Sequence, residues 1–129
     1  MNRIVSLRGL LLLLASLLLP ACDAQQESGQ NDRLTALGDP AIGEIAIQQY
    51  ACVTCHRIPG VVGPDAWVGP SLRRIGSRTY LAGILPNTPD NMLAWLTNPK
   101  AVAPDTAMPD LGVTDAHARH IAAFLYQLD

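Results

Sequence analysis

Past residue 19 this chain of 129 residues has no apolar run approaching the roughly 20 residues that a membrane-spanning helix needs. It has no internal repeats and no stretch with convincing strand alternation. It has no basic patch: nine Lys and Arg face 11 Asp and Glu, for a net charge of −2, and that balance argues against nucleic acid as a partner. It lacks the alternation of strand and helix in which a thioredoxin-like dithiol sits. Cysteine is scarce too, with Cys22 standing alone and Cys52 and Cys55 three apart. Such a length fits one domain with a modest core, which a large apolar prosthetic group would help to fill.

The apolar residues that do cluster lie at the start. Arg3 and Arg8 precede an apolar run from Gly9 to Leu19, followed by small residues. This is a secretory signal pattern. Leu19-Pro20-Ala21-Cys22 resembles a bacterial lipobox, in which the cysteine sulfur is acylated and cleavage follows Ala21. The alternative is ordinary cleavage after Ala24, which discards Cys22. Asp23 resembles the inner-membrane retention signal of enteric lipoproteins. The lipoprotein reading accounts for the odd cysteine of an exported protein. It divides the chain into a signal peptide (1–21), a lipid-anchored flexible tether (22–38) and a folded domain (39–129). Cleavage before Cys22 leaves seven basic residues (9 − 2) against 11 acidic ones, a net charge of −4. The expected location is the periplasmic side of a bacterial inner membrane, lipid-anchored, with a soluble periplasmic protein as the alternative.

Within the domain, Asp39-Pro40 reads as a helix cap with proline at the first helical position, leading into Ile42, Ile45 and Ile47. Residues 57–77 are broken by glycine and proline and read as loop. Thr88-Pro89 opens a second helix that carries Met92, Trp95 and Leu96 and stops at Asn98, before Pro99. Residues 101–110 read as a proline-broken loop. Thr114 caps a last helix with Ile121, Leu125 and Leu128 at i, i+4 and i+7. The expectation is an all-α domain of three main helices, whose long loops make sense if they wrap something.

Residues 52–56 read CVTCH, the attachment pattern of c-type haem. Residues three apart in a helical turn share a face, so Cys52 and Cys55 reach two vinyl groups on one side of a porphyrin and add across them as thioethers. His56 projects the same way and offers a ring nitrogen to iron. The other readings are a dithiol redox pair, a plain disulfide, or half a zinc site completed by His117 and His120. A sixth ligand is then needed. Met108 lies in a proline-bounded loop, 52 residues after His56 (108 − 56), and a thioether there raises the potential. Met92, on a helix face beside Leu93 and Leu96, reads as core. His117 and His120 read as the wetted side of the last helix, with His120 the remaining axial candidate.

These residues together resemble class I monohaem cytochrome c, over nearly all of residues 38–129. The resemblance extends to the cytochrome c domain fused to subunit II of some haem-copper oxidases. GDPAIGE (38–44) looks like the amino-terminal helix, VGPSL (68–72) the loop that supports the proximal histidine, and residues 91–114 the stretch ending in the axial Met-Pro. The resemblance implies a cytochrome c fold around one covalent haem. It implies that the Pro70 carbonyl accepts from His56 and that Gly43 meets Phe124 where the first and last helices cross. It implies Trp95 at a haem propionate, with Arg73 and Arg74 as candidates to neutralise propionates. Two departures stand out. Ile47 occupies a frequently aromatic position, and Pro104-Asp105-Thr106-Ala107 replaces the common Pro-Gly-Thr-Lys, which removes a positive charge near the haem edge. Trp67, Val61 and Val62 are an alternative docking patch, or else packing over the haem.

The function expected from this is a monomeric, membrane-tethered electron carrier that is not itself an enzyme. Its partners would be a terminal oxidase, a cytochrome bc-type complex or a periplasmic dehydrogenase. A fixed subunit of a larger complex is the second reading. A haem sensor or enzyme with an open sixth site is the third.

Overall fold

A proline at the first helical position sacrifices no hydrogen bond, because that N–H has no partner inside the helix. The chain uses this three times in the computed structural model, which describes residues 37–128. Helix α1 (Pro40–Gln49) is capped by Asp39, whose Oδ1 accepts from the Ala41 N–H at 2.8 Å. Helix α2 (Pro89–Thr97) is capped by Thr88, whose hydroxyl accepts from the Asn91 N–H at 3.3 Å. Helix α3 (Pro99–Val102) is a single turn capped by the Asn98 side chain, which accepts from the Ala101 N–H at 3.0 Å. Helix α4 (Asp115–Leu125) starts without proline, on a Thr114 hydroxyl that accepts from the His117 N–H at 3.2 Å.

Helices α1 and α4 pack closely enough that no side chain fits at Gly43, where they meet. A Cβ on Gly43 would overlap the His120 carbonyl and stand 3.0 Å from the Phe124 Cβ. Ala46 on α1 and Ala118 and Ala122 on α4 are buried, so short side chains line the core faces of both helices. Ile47, Met92, Leu96, Ile121 and Leu125 continue the core towards α2.

The two histidines of α4 do not lie on a wetted face, as the sequence suggests they should. Both are half-buried. The Asp39 N–H donates to His120 Nδ1 at 2.8 Å, and His117 Nδ1 pairs with the Tyr50 hydroxyl at 2.9 Å. Each ties α4 to one end of α1, so neither is placed to complete a zinc site with Cys52 and Cys55.

The expectation of an all-α chain with three main helices is overturned. The described residues form four α-helices and a two-stranded antiparallel sheet, β1 (Tyr80–Leu81) with β2 (Leu85–Pro86), in the register Tyr80↔Pro86 and Leu81↔Leu85. Two-residue strands show no alternation to read, and Pro86 argues against a strand on composition. The turn between them needs left-handed backbone at Ala82 (φ 50°) and Gly83 (φ 75°). Residues 101 and 102, read as the start of a proline-broken loop, instead belong to the helical turn Pro99–Val102. Asn98 ends one helix and caps the next, because Pro99 cannot continue the first.

Asn87 fastens this hairpin to the rest. Its Nδ2 donates to the Ile75 and Arg78 carbonyls, both at 2.8 Å, and its Oδ1 accepts from the Tyr126 hydroxyl at 2.9 Å. Burial pushes the Tyr126 phenol from 10.0 up to about 12. The folded chain therefore holds that proton more tightly than the unfolded one. The stability this contributes is full below about pH 10 and is lost as pH rises through about 12. Tyr126→Phe is expected to lose about 1 kcal/mol near neutral pH with the bond to Asn87. In urea titrations at rising pH, the gap between wild type and variant should close across that window. A gap that stays constant would show that the hydroxyl is not held in its neutral form by the fold.

Candidate functional site

Three chemically active side chains share one turn. After α1 the chain bends through Ala51, in left-handed backbone at φ 54°, which costs a non-glycine residue roughly 1–2 kcal/mol. Residues Cys52–Thr54 then close a tight turn. The Cys55 and His56 N–H groups both donate to the Cys52 carbonyl, at 3.2 and 3.0 Å. The two thiols are free, with no bond between them. Burial pushes the Cys52 thiol above its ordinary value, a backbone hydrogen bond works against that, and the neighbouring Cys55 adds to it. Burial therefore favours the neutral thiol at Cys52 over the thiolate.

The loop at residues 69–72 is laced onto this turn. The Gly69 N–H donates to the Cys55 carbonyl at 2.8 Å, and the Leu72 N–H donates to the Arg57 carbonyl at 2.9 Å. Between them, His56 Nδ1 meets the Pro70 carbonyl at 2.7 Å. A carbonyl can only accept, so Nδ1 carries the proton and Nε2 keeps its lone pair for a metal. Gly69 lies against the imidazole, and a Cβ there would stand 2.7 Å from Nδ1. Ring orientation and tautomer are thus both fixed by the loop.

Cys52, Cys55, His56, Pro70, Trp95 and Met108 all line one cleft of about 490 Å³. Its walls are largely apolar, with Ile47, Leu81, Met92, Leu96, Ile121 and Leu125 among them. Met92 is 1% exposed and belongs to the core, whereas Met108 is half-buried in the loop after α3. Arg73 and Arg74 are exposed and do not line the cleft. Arg78 does, and its guanidinium is fixed by the Ser71 and Arg73 carbonyls, the second at 3.0 Å. Three arginines fall within six residues, and nothing in their spacing tells which turns inward; the hairpin after Thr79 decides it. Tyr80 also lines the cleft and went unread for the same reason. Trp67 is outside the cleft and 72% exposed, with the Arg57 guanidinium 4.1 Å above its ring and Asp65 4.0 Å from Arg57. Val62 is exposed, while Val61 packs partly buried against the core.

The cleft therefore offers one occupant an imidazole nitrogen, a thioether sulfur, two thiols on one rim, apolar walls and one fixed positive charge. Among the described residues no group of three His, Cys, Asp or Glu is gathered as a metal site. None of the helices among them is long and apolar enough to cross a membrane. Cys22, the residue expected to carry a lipid, lies outside the described residues, as do the signal and most of the tether.

No family model matches the chain, and no solved structure matches it. Among curated proteins it is similar to cytochrome c oxidase subunit 2 of Alkalihalophilus pseudofirmus, with 30% identity over 89 residues, covering 67% of this chain and 25% of that protein. The same subunit of Bacillus sp. strain PS3 is 32% identical over 89 residues, with the same shares. That of Bacillus subtilis is 32% identical over 82 residues, covering 61% of this chain and 23% of its own length. The chain spans about a quarter of the length of the curated relatives it matches. The relatives are subunits of cytochrome c oxidase, an oxidoreductase complex, which overturns the expectation of an electron carrier that is not itself an enzyme and leaves standing the second reading, a subunit of a larger complex. What the comparisons establish is that this chain is similar to part of subunit 2 of a respiratory oxidase.

Proposed function

We propose that this chain carries one haem c and passes electrons as an entry unit of a haem-copper oxidase or a complex of that kind. The single observation behind the reading is the turn Cys52–His56, with Nδ1 committed to Pro70, opening on a cleft that also contains Met108. The cleft fits the group. Its walls suit an apolar macrocycle, and Arg78 suits a carboxylate edge.

Cys52 and Cys55 would bind it covalently, each adding its sulfur to one vinyl carbon and its proton to the other. His56 Nε2 and the Met108 sulfur would hold the iron from the protein side, so that no substrate binds there. Bound in this way, the group supplies a one-electron ferric/ferrous couple. The Pro70 carbonyl orients His56 and raises its basicity. The apolar walls exclude water, and Arg78 is fixed in advance by two carbonyls, so little has to move when charge changes. The haem site is of the class I cytochrome c type in its donor set. The similarity to oxidase subunit 2 supports a terminal oxidase as the acceptor; the donor would be a cytochrome bc-type complex or a periplasmic dehydrogenase. A lipid on Cys22 would hold the unit at the periplasmic face of the membrane and raise its effective concentration near such partners.

The test is an absorption spectrum of protein purified from cells that mature c-type cytochromes. The expected result is sharp c-type bands on reduction and, in the oxidised form, the weak far-red band of methionine bound to ferric iron. Reduced bands without the far-red band would remove Met108 as ligand and favour a sensor or enzyme with an open site. No haem at all would remove the reading.

A further inference from the structure

We propose that Lys100 is the positioning residue of the Met108 loop: its ammonium clamps two loop carbonyls and so keeps the methionine sulfur turned into the cleft. This inference rests on the haem reading above.

Lys100 is the only lysine in the chain. It stands on α3, with its stem in that helix's last turn. Its Nζ reaches forward over the loop and donates to the Pro104 carbonyl at 3.4 Å and to the Thr106 carbonyl. The remaining loop bonds pass this restraint on to Met108. The Ala103 N–H donates to the Pro99 carbonyl at 2.9 Å, and the Thr106 N–H to the Ala103 carbonyl at 3.0 Å. The Met108 N–H then donates to the Thr106 hydroxyl at 3.2 Å. Thr106 is thus held from both sides, by Lys100 at its carbonyl and by Met108 at its hydroxyl.

The loop needs such a clamp. Pro104 and Pro109 can donate no backbone hydrogen bond, so residues 103–109 cannot brace themselves with a regular ladder. An ammonium has three donors on a flexible stem and can satisfy carbonyls that point in different directions, which a neutral side chain of that length cannot. Bonds from a charged donor are also stronger than neutral ones. Asp105 and Asp110 flank the same stretch, and neither is within ion-pair distance of Lys100. The lysine therefore acts on the backbone and not on a carboxylate.

The experiment uses the full haem-loaded protein and an exogenous ligand, imidazole, that competes with Met108 for ferric iron. Lys100→Met keeps the unbranched stem as far as Cε and removes the donors beyond it. It is expected to bind imidazole about tenfold more tightly or better, with the reduced c-type bands intact. Lys100→Arg is expected to restore the wild-type affinity. Because there is no other lysine, acetylation of the folded wild type with an amine-selective reagent removes the charge and all but one N–H donor of that side chain, and should shift imidazole affinity in the same direction as Lys100→Met without any folding step. Imidazole affinity unchanged in both Lys100→Met and the acetylated protein would overturn the clamp. A wild type that lacks the far-red methionine band would overturn the haem reading itself, a result distinct from the first.

Discussion

Met108→Ala is expected to abolish the far-red band of the oxidised protein, to let carbon monoxide bind the reduced iron, and to lower the reduction potential. The drop should be on the order of 0.1 V or more, because axial ligands move haem potentials over a range of about 0.8 V. A thioether favours ferrous iron, so removing it favours the ferric state. The fold should barely respond, since Met108 is half-buried in a loop whose backbone is held by Lys100 and Thr106. Met92→Ala is the informative counterpart. That side chain is 1% exposed and lies in the core, so truncation is expected to cost about 2–5 kcal/mol while leaving the far-red band in place. Urea titrations and spectra on the two variants separate ligand from packing. A far-red band that survives in Met108→Ala and disappears in Met92→Ala would exchange the two roles.

The second large effect concerns Gly43. Gly43→Val is expected to destabilise the domain by more than about 3 kcal/mol, because overpacking a tight contact costs of that order and the neighbour here is backbone. The added Cβ would overlap the His120 carbonyl, which belongs to α4 and cannot rotate away as a side chain would. For a domain of this size such a loss lowers the melting temperature by more than about 10 °C. Gly43→Ala should fall nearly as far, since the first added carbon makes the clash. Gly60 gives the contrast. Its backbone is left-handed at φ 79°, but a Cβ there would meet nothing within 4 Å. Gly60→Ala should therefore cost only about 1 kcal/mol, from backbone strain alone. Melting curves followed by far-ultraviolet circular dichroism check all three. Gly43→Val melting within a few degrees of wild type would mean that α1 and α4 slide past each other freely.

The parts of this molecule that could be read in advance are those whose signals are local. Asp39-Pro40, Thr88-Pro89 and Thr114 mark helix starts because capping depends on the residue itself and its next three neighbours. The turn Cys52–His56 is legible for the same reason, since spacing within one helical turn fixes a shared face. The cleft brings Pro70, Trp95 and Met108 to that turn from far along the chain. They could be named from a resemblance, and no local pattern would have found them. What stayed hidden depends on tertiary contact. A two-residue strand at Tyr80 has no periodicity to detect. His117 and His120 look solvated on a helical wheel and are claimed by Tyr50 and by the Asp39 N–H. Arg78 is chemically the same as Arg73 and Arg74, and only the path of the backbone turns it into the cleft. Lys100 is separated from the carbonyls it binds by the bend that ends α3.

The cleft walls have a consequence for the life of the protein in the cell. Ile47 of α1, Met92 and Leu96 of α2, and Ile121 and Leu125 of α4 serve both as core and as lining. If the cleft holds the proposed haem, a chain that had not received it would leave those faces towards water and so would spend more of its time open to proteases. A group bonded through Cys52 and Cys55 could not be lost by dilution, unlike a ligand whose stabilisation depends on its free concentration. On the proposed reading, attachment of the haem would then act as a one-way step: chains that had passed it would be durable, and those that had not would stay open to clearance.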